Sequence, residues 1–256
     1  MNTTITYEFP LNEKIRTFIR LEHLFKQFIQ FSTGLSITEK RAAITCLLDI
    51  IAIFKRTDLR AEVLKELNHQ STVLKKIAKN DDVNKEKLNE LLEQLERITK
   101  TLHGINGKIC LNIMQNDLLQ SIVQRSSIPG GTCSFDLPEY HFWLSQDEPE
   151  RLLDLESWSN PFIEIHNALD FILNFIRNSR PPKAEIASAG FFQIALDQSQ
   201  QFQLIKVSVD SSINCFAEIS GGKHRCNIRF MEVSKDNKRP VQSVNDIPFN
   251  LTRCLF

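Results

Sequence analysis

The sequence predicts an α+β fold, with a helical bundle domain and an antiparallel β-rich domain with packed helices. Apolar residues recur at helical spacing through the first half of the chain. Pro181-Pro182 then ends the helical pattern, and the runs that follow are strand-like and separated by polar turns. Helices followed by strands, rather than alternating with them, are typical of an antiparallel sheet.

Composition and charge exclude several classes of protein. The 256 residues are 42% hydrophobic and 24% charged, as in ordinary globular proteins. The 31 basic residues balance the 31 acidic ones, which argues against binding to nucleic acid or membrane through net charge. The N-terminus has no apolar run behind a basic flank, and the longest apolar stretch is too short to span a bilayer. We therefore expect a cytoplasmic protein without a signal peptide or membrane-inserted segment, and with its six cysteines reduced.

Each of the four predicted helices in the first half begins at a recognisable capping residue. Asn12, Asp58 and Asn84 are placed to cap the first, third and fourth helices. Ser36 and Glu39 have the spacing of a capping box at the start of the second. Only a short polar break separates the third helix from the fourth, so these two are expected to form an antiparallel hairpin. Their apolar stripes predict a bundle core, with a self-association zipper as the alternative.

Two more helices precede the strands. Ser145 and Glu148 have the spacing of a second capping box, with Pro149 in the first turn. Asn160-Pro161 begins another helix, which is expected to end near Arg177.

The strand-like runs suggest a discontinuous β-rich domain. Four runs follow the helices, at residues 185–196, 202–209, 213–220 and 224–233. Residues 4–9 also have a strand pattern but no partner nearby, so we expect them to join the C-terminal sheet. The predicted domains are therefore 11–125 for the helical part, and 1–10 together with 126–256 for the β-rich part.

The glycines before Lys223 indicate a hairpin turn rather than a phosphate-binding loop. The segment Ala217-x-x-x-x-Gly222-Lys223-His224 resembles a variant P-loop. It joins two predicted strands, however, whereas a P-loop runs from strand to helix, and His224 replaces the magnesium-binding Ser or Thr. Gly221 and Gly222 are expected to supply positive backbone φ angles in the turn.

Catalytic and metal-binding patterns are weak. Cys133 and His141 could form a nucleophile–base pair, which leaves a cysteine hydrolase as an alternative function. A buried Cys133 beside a structural histidine is the simpler interpretation. His224-x-Cys226 stands alone, and no metal-ligand spacing accompanies it, so we expect neither a metal nor another cofactor.

Charge is distributed unevenly along the chain. Residues 136–170 include nine acidic residues and one basic residue, whereas residues 221–240 include six basic and two acidic ones. Within the basic region Arg225, Asn227 and Arg229 alternate with apolar residues, which places both arginines on one face of a strand. Guanidinium groups in this arrangement can bind the carboxylates of a partner. Pairing with the protein's own acidic segment is the alternative.

Several segments resemble the ZapD family, the cytoplasmic FtsZ-ring-associated proteins of bacterial cell division. The matching segments are residues 7–17, 54–60, 64–67, 127–138 and 219–231, with Arg20, Glu22, His141 and Trp143 beside them. The block Ser-Ile-Pro-Gly-Gly-Thr-Cys-Ser-Phe-Asp-Leu-Pro at 127–138 is the most specific of them. These blocks extend over essentially the whole chain.

The resemblance implies a homodimeric adaptor without enzymatic activity. Members of the family bind the C-terminal tail of the tubulin-like GTPase FtsZ and cross-link its filaments into bundles, which stabilises the mid-cell division ring during septation. Their recognition surface is basic. Carried over to matching positions, it gives six candidate residues: Arg20, Arg56, Arg125, His141, Arg225 and Arg229. Asp117 departs from the family pattern, since a basic residue is expected there.

Overall fold

The computed structural model describes residues 4–79, 84–105, 113–197, 199–222, 224–233 and 239–256. Cys110, Lys223 and most of the predicted turn between the third and fourth helices lie outside these residues. After an N-terminal strand, helices occupy the chain as far as residue 177 and antiparallel strands follow, so the predicted α+β class is confirmed.

The helices in chain order are α1 (Glu13–Ser32), α2 (Ile37–Arg56), α3 (Leu59–Ile77), α4 (Lys85–Gly104), α5 (Asp117–Ser126), α6 (Pro138–Ser145), α7 (Glu148–Ser159) and α8 (Ile163–Arg177). Short 3₁₀ turns cover Ile113–Gln115 and Asn160–Phe162. The strands are β1 (Thr4–Pro10), β2 (Lys183–Ala187), β3 (Phe191–Ala195), β4 (Phe202–Asp210), β5 (Cys215–Gly221), β6 (Arg225–Glu232), β7 (Val241–Gln242) and β8 (Ile247–Leu255).

The chain forms two compact units. The β-rich unit comprises Met1–Ile19 and Ile172–Phe256, and the helical unit comprises Arg20–Phe171. The divisions fall inside α1 and α8, at different residues from the predicted domain limits. Those limits, after residues 10 and 125, stay a prediction.

Two antiparallel sheets form the β-rich unit. Sheet A has the strand order β1-β4-β8-β2, and sheet B has the order β3-β6-β5, with β7 paired to the end of β6. Each sheet turns one face toward a shared apolar core, which includes Val207 and Phe249 from sheet A and Ile228 and Phe230 from sheet B. Alternation along each strand then leaves every second side chain on the opposite face.

The N-terminal strand completes sheet A, as predicted. β1 pairs with β4 from Thr4 opposite Asp210 to Pro10 opposite Leu204. The carboxylate of Glu8 accepts two hydrogen bonds from the guanidinium of Arg177, at 2.7 and 2.8 Å. This bidentate pair fixes the end of α8 to β1.

The predicted single strand at 185–196 is wrong. The chain instead forms β2 in sheet A and β3 in sheet B, joined by a tight turn in which Ala189 and Gly190 have φ angles of 47° and 67°. A Cβ on Gly190 would lie 2.7 Å from the carbonyl oxygen of Ser243, so the turn depends on glycine. The turn moves the chain from one sheet to the other without interrupting the strand-like pattern of the sequence.

Strand β8 was not predicted, although it lies between β4 and β2 in sheet A. Its inward residues Ile247, Phe249 and Leu251 are buried and alternate with exposed Pro248 and Asn250. This alternation is visible in the sequence, and it would have identified the strand.

Most of the predicted helix starts are confirmed. The side chains of Asn12, Asp58 and Asn84 accept hydrogen bonds from backbone N–H groups in the first turns of α1, α3 and α4. The capping box at Ser36 is present at the start of α2. The second predicted box is wrong: Ser145 ends α6 and donates to the carbonyl of His141, and Asp147 takes the cap position of α7.

Within the helical unit, α3 packs against α4. Leu88, Leu95 and Leu102 of α4 are buried, as are Val63 and Leu67 of α3. Burial of these stripes within a single chain favours the bundle-core interpretation over the zipper.

A fully buried lysine connects three helices of this unit. The ammonium of Lys40, in α2, donates to the carbonyl of Ser32 at the end of α1 at 2.6 Å. It also lies 3.4 Å from a carboxylate oxygen of Glu148 at the start of α7. A positive charge at a helix C-terminus compensates both the unpaired carbonyls and the helix dipole.

We expect Lys40→Met to lower the free energy of unfolding by about 1–3 kcal/mol, because the buried carbonyl of Ser32 would lose its hydrogen bond. Urea denaturation measures the change. Lys65→Met, at an exposed position of α3, is the matched control and should shift the midpoint little. Equal midpoints for Lys40→Met and the wild type would contradict this role of Lys40.

An aromatic cluster positions α6. Tyr140 stacks on Trp143, and Trp143 lies 5.5 Å from Trp158 between ring centroids. The indole N–H of Trp143 donates to Asp154 at 2.9 Å. On the other side, the guanidinium of Arg41 lies 5.1 Å from the centroid of the Tyr140 ring. Burial raises the pKa of Tyr140 to about 12.

The Tyr140 pKa gives a test of this packing. The chain has two tyrosines, so Tyr7→Phe leaves only Tyr140 to titrate. We expect its tyrosinate absorbance to rise with a midpoint near pH 12 in the folded variant, read at once after a pH jump, and near pH 10 in urea. The contribution of the protonated Tyr140 phenol to the free energy of unfolding is fully present below about pH 10 and is lost as the pH rises toward about 12. A folded midpoint near 10 would mean that Tyr140 is solvated.

Candidate protein-interaction site

The candidate site is on β6, at the centre of sheet B. Cys226, Ile228 and Phe230 are completely buried in the core of the β-rich unit. Because successive side chains of a strand point to opposite faces, Arg225 and Arg229 are held on the outer face, where both are exposed. The predicted alternation is confirmed.

Neighbouring strands complete the outer face of sheet B. On one side β3 places Ala195 opposite Arg225 and Phe191 opposite Arg229. Between these pairs the amide of Gln193 donates to Asn227 at 2.8 Å. We call these six residues, Phe191, Gln193, Ala195, Arg225, Asn227 and Arg229, the arginine face. On the other side of β6, Glu218 of β5 is opposite Arg229.

The two guanidinium groups have no counterion among the described residues. Neither Arg225 nor Arg229 forms a salt bridge with any carboxylate in the described part of the chain, Glu218 included. The acidic residues of 136–170 that form ion pairs do so with Lys40, Arg125 and His166. The internal-pairing alternative therefore has no support from the described residues.

β5 and β6 are consecutive antiparallel strands, as the predicted hairpin requires, but Gly221 is needed for another reason than the one predicted. This strand-to-strand connection is not the strand-to-helix connection of a P-loop. Neither Gly221 nor Gly222 has a positive φ angle, so that expectation is wrong. A Cβ on Gly221 would lie 2.8 Å from the Arg225 carbonyl oxygen, and close approach of the two strands is what requires glycine.

The other four candidates lie in the helical unit, on four different helices. Arg20 (α1), Arg56 (α2) and His141 (α6) are exposed, and their side chains make no ion pair or hydrogen bond with another described residue. Arg125 (α5) lies 3.4 Å from Asp136 in a partly exposed ion pair. Such surface pairs are worth about 0–1 kcal/mol, so Arg125 can exchange this partner at little cost.

Asp117, which departs from the family pattern, has a structural role. It is the first residue of α5, directly after Asn116, whose side chain accepts a hydrogen bond from the N–H of Leu119. A carboxylate in the first turn interacts favourably with the helix dipole.

Sequence reasoning missed Arg41. Its guanidinium donates to both the carbonyl and the hydroxyl of Thr132, at 3.4 and 3.3 Å, and so attaches the segment before α6 to α2. No local pattern identifies this contact, because the two residues are 91 positions apart in the chain.

None of the five cysteines that the structure describes is part of an assembled nucleophile. Cys133 is exposed, so the expectation of a buried thiol is wrong, and its sulfur is not hydrogen-bonded to His141. Burial raises the pKa of the thiols of Cys46 and Cys215, and to about 11 for Cys226 and Cys254, which disfavours the reactive thiolate in all four.

Within the described ranges there is neither a cluster of metal ligands nor a membrane-spanning helix. No three His, Cys, Asp or Glu side chains there are grouped so that they could hold a metal ion. None of the helices described above is both long and apolar enough to cross a bilayer.

The family model and the similar proteins point to the same family. The family model described as "ZapD: Cell division protein" matches residues 19–229. A protein of Methylococcus capsulatus named Cell division protein ZapD is 42% identical over 255 residues, which cover 100% of both chains. Proteins of the same name from Nitrosomonas eutropha and Aromatoleum aromaticum are 38% and 35% identical, over 98% of this chain and 99% and 97% of theirs. The chain belongs to the ZapD family of cell division proteins.

Proposed function

We propose that this protein is a non-enzymatic division factor that binds the C-terminal tail of FtsZ and cross-links FtsZ filaments into bundles. It would act in the cytoplasm at the mid-cell ring and stabilise the ring during septation. Membership of the ZapD family supports a role in cell division. The resemblance of the 127–138 and 219–231 segments to the family supports the choice of FtsZ as the partner.

The observation that carries the proposal is the pair of exposed, unpaired guanidinium groups of Arg225 and Arg229. Four residues along a strand span about 13 Å, so the two can bind separate carboxylates of one extended segment. A disordered tail loses conformational freedom on binding, so its affinity should be modest and should depend on a few anchors.

The remaining candidates belong to the same proposal. Arg20, Arg56, Arg125 and His141, in the helical unit, are the further candidates for contact with the tail. No cofactor and no nucleic acid is required. The cysteine hydrolase alternative is less well supported, because Cys133 and His141 are not hydrogen-bonded to each other.

Cross-linking also requires more than one tail site in each assembly. A symmetric homodimer supplies two sites without new sequence, and it binds two filaments with avidity. We therefore propose that the functional form is a homodimer.

Reversing the charge of one arginine tests the site. We expect Arg225→Glu to abolish binding of an FtsZ tail peptide and sedimentation of FtsZ bundles, because attraction becomes repulsion. The melting temperature should stay nearly unchanged, since the Arg225 side chain is exposed and makes no ion pair with another described residue. Raising the salt concentration should also weaken tail binding by the wild-type protein, because salt screens exposed charges. The Debye length is already about 8 Å at physiological ionic strength.

Arg97→Glu, at an exposed position of α4 that is not among the six candidates, makes the same charge change and serves as the control. Full tail binding by Arg225→Glu would remove the arginine face from the site. A lowered melting temperature with retained binding would instead indicate a structural role for Arg225.

The assembly is tested separately. We expect light scattering at micromolar concentration to report a mass twice that of the 29.5 kDa chain. A monomeric mass together with retained bundling would disprove the dimer and would require two tail sites on one chain.

A further inference from the structure

The arginine face has an apolar end. Phe191 is directly opposite Arg229 and its side chain is 37% exposed, whereas its neighbour Phe192 packs in the core. Side chains opposite each other across two antiparallel strands have Cβ atoms about 5 Å apart. An aromatic surface therefore lies beside one of the two unpaired guanidinium groups.

This apolar surface continues across sheet B. Met231 follows Arg229 on the same face of β6, and it is paired with Phe216 of β5. Both side chains are partly exposed. Phe191, Met231 and Phe216 thus form one end of the outer face, which we call the apolar end, while Arg225 lies toward the other.

Charge restricts where an anionic ligand can bind on this face. Glu218 lies on β5 opposite Arg229 and would repel a carboxylate placed on that side. The β3 side carries the uncharged Gln193 and Ala195. A bound acidic segment is therefore favoured along β6 and β3, where it also reaches Phe191.

We propose that the arginine face binds an extended acidic segment in which an apolar side chain lies next to one of two carboxylates. Arg225 and Arg229 bind the carboxylates, and the apolar end receives the apolar side chain. At about 3.3 Å per residue of an extended chain, the carboxylates would be about four residues apart. The inference rests on the proposed function and specifies the chemical pattern that the site selects within a partner tail.

Two designed peptides test the pattern without relying on FtsZ. One is an extended ten-residue peptide with two aspartates four residues apart and a leucine beside one of them. The other has serine in place of the leucine. Fluorescence anisotropy with the full-length protein gives both affinities, and an FtsZ tail peptide is titrated in parallel.

We expect the leucine peptide to bind about fivefold more tightly than the serine peptide, as for partial burial of an apolar side chain. Phe191→Ser should remove this difference while leaving the salt dependence unchanged, because it removes no charge. The affinity lost when serine replaces leucine in the peptide and the affinity lost by Phe191→Ser should not add, since both changes remove the same contact. Ile186→Ser, at a 60% exposed position on sheet A, is the control and should leave both affinities unchanged.

The outcomes separate the two proposals. The inference would be overturned if the two peptides bound equally or if neither bound. It would also be overturned if the preference for leucine survived Phe191→Ser. The proposed function would stand in those cases if FtsZ tail binding still required Arg225. A leucine preference that depends on Phe191, together with no binding of the FtsZ tail, would support this inference and overturn the proposed partner. The comparison of the two peptides on the wild-type protein alters only the peptide, so that comparison does not depend on the folding of a variant.

Discussion

The burial of Cys226, Ile228 and Phe230 is the constraint on which the candidate site depends. These side chains fill the core between the two sheets of the β-rich unit. A shift of β6 by one residue would expose all three and bury Arg225 and Arg229, so the register is strongly fixed. The core thus holds the two arginines in place although it does not touch them.

Unpaired arginines on a fixed strand are suited to a transient partner. Before binding, both guanidinium groups are exposed, and they make no ion pair with another described residue that would have to break. Because β6 lies between β3 and β5, little backbone ordering is needed when a ligand binds. The entropic cost then falls mostly on the partner, which fits a disordered segment better than a folded surface.

The same fold places an aromatic ring beside a charge. Phe191 is brought to Arg229 because the chain changes sheets at Gly190, which starts β3 on the edge of sheet B. A site that combines carboxylate binding with an apolar contact discriminates among acidic segments better than charge alone, since salt screens only the charged part. In the proposed site, the two arginines and the apolar end would therefore contribute separately to recognition.

Local patterns in the sequence determined the helix starts at Asn12, Ser36, Asp58 and Asn84, and the two-sided character of β6. Capping and strand alternation depend on residues a few positions apart, so the sequence alone carries them. The same alternation is present in β8, where Ile247, Phe249 and Leu251 are buried and the residues between them are exposed.

Only the tertiary structure decided which distant segments meet. It paired β1 with β4, split 185–196 between two sheets, attached Arg41 to Thr132 and placed Lys40 under the end of α1. These contacts depend on loop closure and on complementary surfaces far apart in the chain, and no local residue pattern encodes them. The sequence thus identified the arginines of the candidate site, whereas the pairing of strands decided what lies beside them.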